Sequence, residues 1–160
     1  MMNVSKTAGY AIHAMSCIGN SRTPMRFVRD IAAKTGLQKP YLAKIINHLA
    51  HDGLVVAKRG YRGGIALARP PVHISLLEIV TAVDGEAWTM SCLFGLEKCP
   101  AKGQCPAHAR WNEIRETLAD ILRKTTLADV MKTIPGAKDC SRKKPVTRKS
   151  GRRITTDISR

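Results

Sequence analysis

Residues 37–69 read LQKPYLAKIINHLAHDGLVVAKRGYRGGIALAR, and this stretch decides the fold. Leu42, Ile45, Ile46 and Leu49 recur at helical spacing as one apolar stripe, and Lys39, Tyr41, Lys44, Asn47 and His48 lie off it. Pro40 falls in the first turn, where its missing N–H has no helical partner to lose, and Gly53 closes a helix predicted from Lys39 to Asp52. Leu54–Lys58 and Ile65–Ala68 then read as two strands around Arg59-Gly60-Tyr61-Arg62-Gly63-Gly64, a glycine-rich loop that predicts a β-hairpin. Its glycines permit positive φ and a close backbone approach to a partner, and Arg59 and Arg62 supply charge. Upstream, Phe27, Val28, Ile31 and Ala32 predict a short helix with Gly36 as its C-terminal cap. Two short helices across a glycine turn outline a helix-turn-helix, and the hairpin directly after them reads as a wing.

Tyr10, Ala11, Ile12, Ala14, Met15 and Ile18 predict a first helix over 5–19, mostly core. Arg69-Pro70-Pro71 reads as a linker. Ser75 with Glu78 three residues on forms a capping box for a helix burying Leu76, Leu77, Ile79, Val80 and Val83 and ending at Asp84-Gly85. The last strong helix runs from about Ala107 to Lys124, with Trp111, Ile114, Leu118, Ile121 and Leu122 as a narrow seam among charges. Such a seam either folds back on the domain or pairs with its copy in a second chain, and a homodimer is the expectation. The fold class is thus mainly α with a small β-hairpin wing: a winged helix-turn-helix plus a long dimerisation helix. The expected divisions are 1–86 for the winged domain, 87–130 for the cysteine-rich loop and dimerisation helix, and 131–160 for a basic, disordered tail.

The 160 residues are 44% apolar, which excludes wholesale disorder. No apolar run approaches the ~18 residues needed to span a bilayer, so no membrane partner and a cytoplasmic location are expected. Lys and Arg number 27 against 12 Asp and Glu, a formal net charge of +15, which predicts an anionic partner, with nucleic acid foremost. Residues 141–160 hold eight basic side chains against Asp157 alone, yet the body stays basic without them. Five cysteines are an odd number that argues against a disulfide scaffold.

Cys92, Cys99, Cys105 and His108 form C-x6-C-x5-C-x2-H on a turn-rich stretch with Pro100 and Pro106. Clustered thiols on loops are soft ligands for iron–sulfur clusters or for zinc, and spacings of five or six residues let a loop wrap a multi-iron cluster. Three cysteines and a histidine also make a structural zinc set near that of RNA-reading CCCH fingers. The few aromatic residues weigh against an RNA-binding module of that kind, since base stacking needs them. Cys17 reads as a small core residue and Cys140 as a free thiol, while His13 is a further candidate ligand. No cysteine has a His-plus-carboxylate set of a nucleophilic enzyme, and no enzyme is expected.

Ser5-Lys6-Thr7-Ala8-Gly9-Tyr10-Ala11-Ile12, Asp30-Ile31-Ala32, Pro40-Tyr41-Leu42, Gly53-Leu54-Val55, Arg59-Gly60, Gly63-Gly64, Leu67-Ala68-Arg69-Pro70-Pro71 and Ile79-Val80 resemble the Rrf-two family over about residues 3–130. These are bacterial winged-helix transcription regulators of the IscR, NsrR and RirA type. The resemblance implies a homodimer binding operator DNA through the third helix and wing. It also implies a [2Fe-2S] or [4Fe-4S] cluster on Cys92, Cys99 and Cys105 with His108, sensing iron, redox state or nitric oxide. Lys39, Tyr41 and Lys44 are then the expected major-groove contacts, and Arg59 and Arg62 the wing contacts. Gly9 stands where nitric-oxide-sensing members carry an acidic ligand, Ala43 replaces a common Glu, and Tyr61-Arg62 departs from the usual Gly-Pro-Gly-Gly-Gly wing. A repressor under iron–sulfur control is the expected function; a zinc-stabilised RNA-binding module and a cluster-free regulator of the same fold are the alternatives.

Overall fold

The computed structural model describes residues 4–20, 25–58, 60, 63–86, 92–93 and 105–133. Among the described residues, six helices and one hairpin follow in the order α1 (Lys6–Gly19), α2 (Val28–Thr35), α3 (Lys39–His51), β1 (Val55–Lys58), β2 (Gly64–Leu67), α4 (Leu76–Asp84), α5 (His108–Lys124) and α6 (Leu127–Thr133). A 3-10 turn over Pro71–His73 occupies part of the expected linker. The expected class, mainly helical with a hairpin wing, is the class observed.

Each element of the winged helix-turn-helix forms for a local reason. Gly36 adopts φ 71, the left-handed conformation that ends α2, and its N–H donates to the Ala32 carbonyl. All four stripe residues of α3 are buried, Leu42 and Leu49 completely. The hairpin is antiparallel, with Val55 opposite Leu67 and Lys58 opposite Gly64. A third segment joins it: Arg26 and Ile65 exchange backbone hydrogen bonds of 2.8 and 2.7 Å. Gly64 sits at φ 154, and a Cβ there would meet the Arg26 carbonyl oxygen at 2.9 Å, so only glycine lets the segment before α2 lie against the wing.

The main core gathers Met15 of α1, Ile31 of α2, Ile45 of α3, Leu54, Ile74 and Ile79. Leu127 of α6 is also fully buried in it, with Met131 packed alongside. The chain therefore returns to the winged body after α5. Leu127 N–H donates to the Ile74 carbonyl at 2.8 Å and Leu76 N–H to Thr125 at 2.9 Å. A second cluster of Ala8, Val80 and Leu122 joins α1, α4 and α5. The α5 seam divides accordingly: Trp111 and Leu122 are buried within the chain, whereas Ile114 and Ile121 remain 48% and 54% exposed. Among the described residues no helix is long and apolar enough to cross a membrane.

Candidate functional site

The outward face of α3 carries Lys39, Tyr41, Lys44, Asn47 and His48, all exposed as expected. Neither Lys39 nor Lys44 is paired with a carboxylate among the described residues, so both charges face solvent. Gln38 precedes α3 without a side-chain cap, and the first turn holds no acidic residue. The positive end of the helix dipole and its uncapped N–H groups thus lie open beside Lys39, an arrangement that suits phosphate.

Tyr41 is more elaborately held than its spacing suggests. Its hydroxyl shares a 2.8 Å hydrogen bond with Thr7 Oγ1, and its ring meets the edge of Tyr10 at 6.1 Å between centroids and 85° between planes. Tyr10 is thereby corrected from a core residue to a half-exposed neighbour of α3. Its place in the apolar run of α1 concealed this, because an aromatic side chain serves a core and a surface contact equally well.

Lys58 ends β1 on the exposed edge of the wing, and Gly63 N–H donates to Gly60 across the turn at 2.9 Å. Arg59 and Arg62, the expected wing contacts, lie outside the described residues. Beneath the wing, Met25, Phe27, Val56, Ala66 and Leu67 line a shallow apolar groove.

Of the expected metal ligands, Cys92 and Cys105 carry free thiols and are half-buried, while Cys99 lies outside the described residues. Among the described residues no three of His, Cys, Asp and Glu converge on one point. Cys105 sits one turn ahead of His108, whose N–H donates to the Cys105 carbonyl at 3.0 Å. The His108 ring is oriented by a relay: Arg115 donates to Asn112 Oδ1, which turns the Asn112 amide nitrogen to His108 Nε2 at 3.2 Å. The amide thereby occupies Nε2, so ligation through that nitrogen requires Asn112 to turn or let go. The thiols and imidazole suit iron–sulfur or zinc in donor chemistry. His13 is half-buried within α1.

Cys17 is buried, as expected for a core residue, and is disulfide-bonded. A single bridge is compatible with the odd cysteine total, which argues only against a scaffold.

The family sequence model of Rrf2, described as an iron-dependent transcriptional regulator, matches residues 4–133. The chain is 31% identical over 133 residues to a protein of Aquifex aeolicus named as an inferred HTH-type transcriptional regulator, covering 81% of this chain and 92% of that one. It is 30% identical over 131 residues to the HTH-type transcriptional regulator IscR of Klebsiella pneumoniae, covering 81% and 80%. Among solved structures it resembles CymR, the global cysteine regulator of B. subtilis, with a TM-score of 0.67 at 22% identity over 84% of this chain and all of that one. It also resembles IscR of T. potens, with a TM-score of 0.63 at 27% identity over 81% and 86%. These relatives are regulators of transcription and not enzymes. With its winged helix-turn-helix, its open basic reading face and a family match across nearly all described elements, the chain belongs to the Rrf2 family of transcriptional regulators.

Proposed function

We propose that the chain is a homodimeric repressor whose grip on operator DNA is set by an iron–sulfur cluster held on Cys92, Cys99 and Cys105, with His108 as fourth ligand. Lys39, Tyr41 and Lys44 enter the major groove, while Arg59 and Arg62 of the wing reach the adjacent backbone or minor groove. Ile114 and Ile121, exposed one above the other on α5, pair with their copies in the second subunit. One observation carries the sensing part: free thiols at Cys92 and Cys105 lie on a segment whose flanking helices, α4 and α5, pack against each other, with α4 packed in turn on α1. When bound, the cluster supplies a centre whose charge and ligand number respond to iron, oxidants or nitric oxide. A change in the path of that segment is then felt where α1 and α3 meet. The family description and the IscR relative support this assignment.

A second reading rests on the Cys17 disulfide. A cluster-free regulator of the same fold would respond to thiol oxidation, and a disulfide on buried Cys17 is the observation that favours it. Anaerobic purification followed by visible absorption, with iron, sulfide and zinc analysis, separates the two. Brown protein with iron and sulfide, lost in Cys99→Ala, supports the cluster. Colourless protein that stays iron-free after reconstitution supports the thiol reading, and stoichiometric zinc returns the zinc-stabilised module.

A further inference from the structure

We propose that Thr7 is a positioning residue for Tyr41, turning the pair into an uncharged donor for a DNA phosphate oxygen, and that Asp84 fixes the pair in place through Ser5. The inference rests on the reading of α3 as the DNA-reading helix and adds to it an element from the other end of the fold. Two hydroxyls that share one hydrogen bond use one of their two O–H hydrogens between them. The other O–H is left to donate to a partner that only accepts, and a phosphate oxygen is such a partner. The edge-on contact with Tyr10 fixes the ring, and Tyr10 and Tyr41 stay 38% and 37% exposed, so the hydroxyl pair is open to a backbone passing along α3.

Thr7 is placed by an anchor outside the helix-turn-helix. Asp84 is the last residue of α4, where its charge opposes the negative end of that helix's own dipole. Its carboxylate instead meets the positive end of α1: Ser5 N–H donates to Oδ2 at 3.0 Å and Ser5 Oγ donates to Oδ1 at 2.5 Å. Ser5 Oγ in turn accepts from Ala8 N–H at 3.0 Å, capping the turn that holds Thr7. An acidic residue at the wrong end of its own helix is thus explained by the helix it clamps. Because α4 leads on toward Cys92, the clamp also joins the thiol segment to the reading helix.

The test uses the full-length chain and a duplex that the wild type selects from a randomised library. Thr7→Val and Tyr41→Phe each weaken binding about tenfold, as for loss of a hydrogen bond to a charged group. The double variant is no weaker than the poorer single variant, because the two hydroxyls act as one unit. Thr7→Ser keeps wild-type affinity. The slope of affinity against salt stays at its wild-type value throughout, since an uncharged donor displaces no counterion. Asp84→Asn weakens binding in the Thr7 background and not in Thr7→Val; where it does not fold, the hydroxyl pair alone decides. Thr7→Val melts with the wild type, which separates the loss from a folding defect. Additive losses, full affinity in Thr7→Val, or failure of Thr7→Ser to rescue would overturn the proposal while leaving DNA binding intact. A wild type that selects no duplex at all overturns the underlying DNA-reading assignment as well.

Discussion

Leu127→Ala tests whether the thiol segment is enclosed by one cooperative body. Leu127 is fully buried, its neighbours in the core come from the winged domain, and its N–H is bonded to Ile74. Truncation removes the transfer free energy of the lost side-chain carbons and leaves a cavity that closely packed neighbours fill only in part, a cost of about 2–5 kcal/mol. With a urea slope of about 2 kcal/mol per molar, the midpoint falls by roughly 1–2.5 M at fixed protein concentration. Tryptophan fluorescence and far-ultraviolet circular dichroism, followed on the same samples, should shift together, because Trp111 on α5 and the helices around Leu127 unfold in one step. Separate transitions, or a loss below about 1 kcal/mol, would refute the reasoning: α6 would then be an appendage, and the segment between α4 and α5 would have a rigid body on one side only.

Other outcomes follow from single contacts. Lys39→Ala and Lys44→Ala should each reduce the slope of log affinity against log salt by about one, measured by fluorescence anisotropy over a salt series. Gly64→Ala should destabilise by about 1–3 kcal/mol in thermal melts, because its positive φ and the Arg26 carbonyl at 2.9 Å leave no room for a methyl group. Burial opposes the charge of Glu78, and bonds from the Ser75 backbone and the Arg69 guanidinium outweigh it, so the carboxyl titrates below its ordinary value. A depressed carboxyl stabilises the fold above its unfolded value and loses that contribution as pH falls through the folded one. Glu78→Gln should therefore lower the melting temperature at neutral pH and converge with the wild type in acid.

The winged helix-turn-helix was legible because its signals are local. The stripe at Leu42, Ile45, Ile46 and Leu49, the cap at Gly36 and the capping box at Ser75 and Glu78 each decide a helix without distant partners. Helix α6 escaped notice because seven residues give little periodicity. Its usable signal was the start: Thr126 N–H donates to Asp129 Oδ2 at 3.1 Å, and Asp129 N–H donates back to Thr126 Oγ1 at 3.3 Å, a capping box written as T-x-x-D. The long-range contacts were not legible. Nothing near Tyr10 announces Tyr41, and nothing near Asp84 announces Ser5, since hydrogen bonds across 79 positions depend on how helices pack and not on local spacing. At the thiol segment the donor types were readable from C-x6-C-x5-C-x2-H, while the hold of Asn112 on the His108 ring required coordinates.

Control of DNA binding by the state of the thiols is measured most directly on one anaerobic preparation before and after its iron is stripped by chelation. Affinity for the wild-type-selected duplex should differ between the two forms by about tenfold or more, a coupling of roughly 1.4 kcal/mol, and Cys99→Ala should bind as the stripped form does whether or not iron is supplied. Equal affinity in all three preparations would contradict the account and leave a regulator that binds DNA without regard to its cysteines.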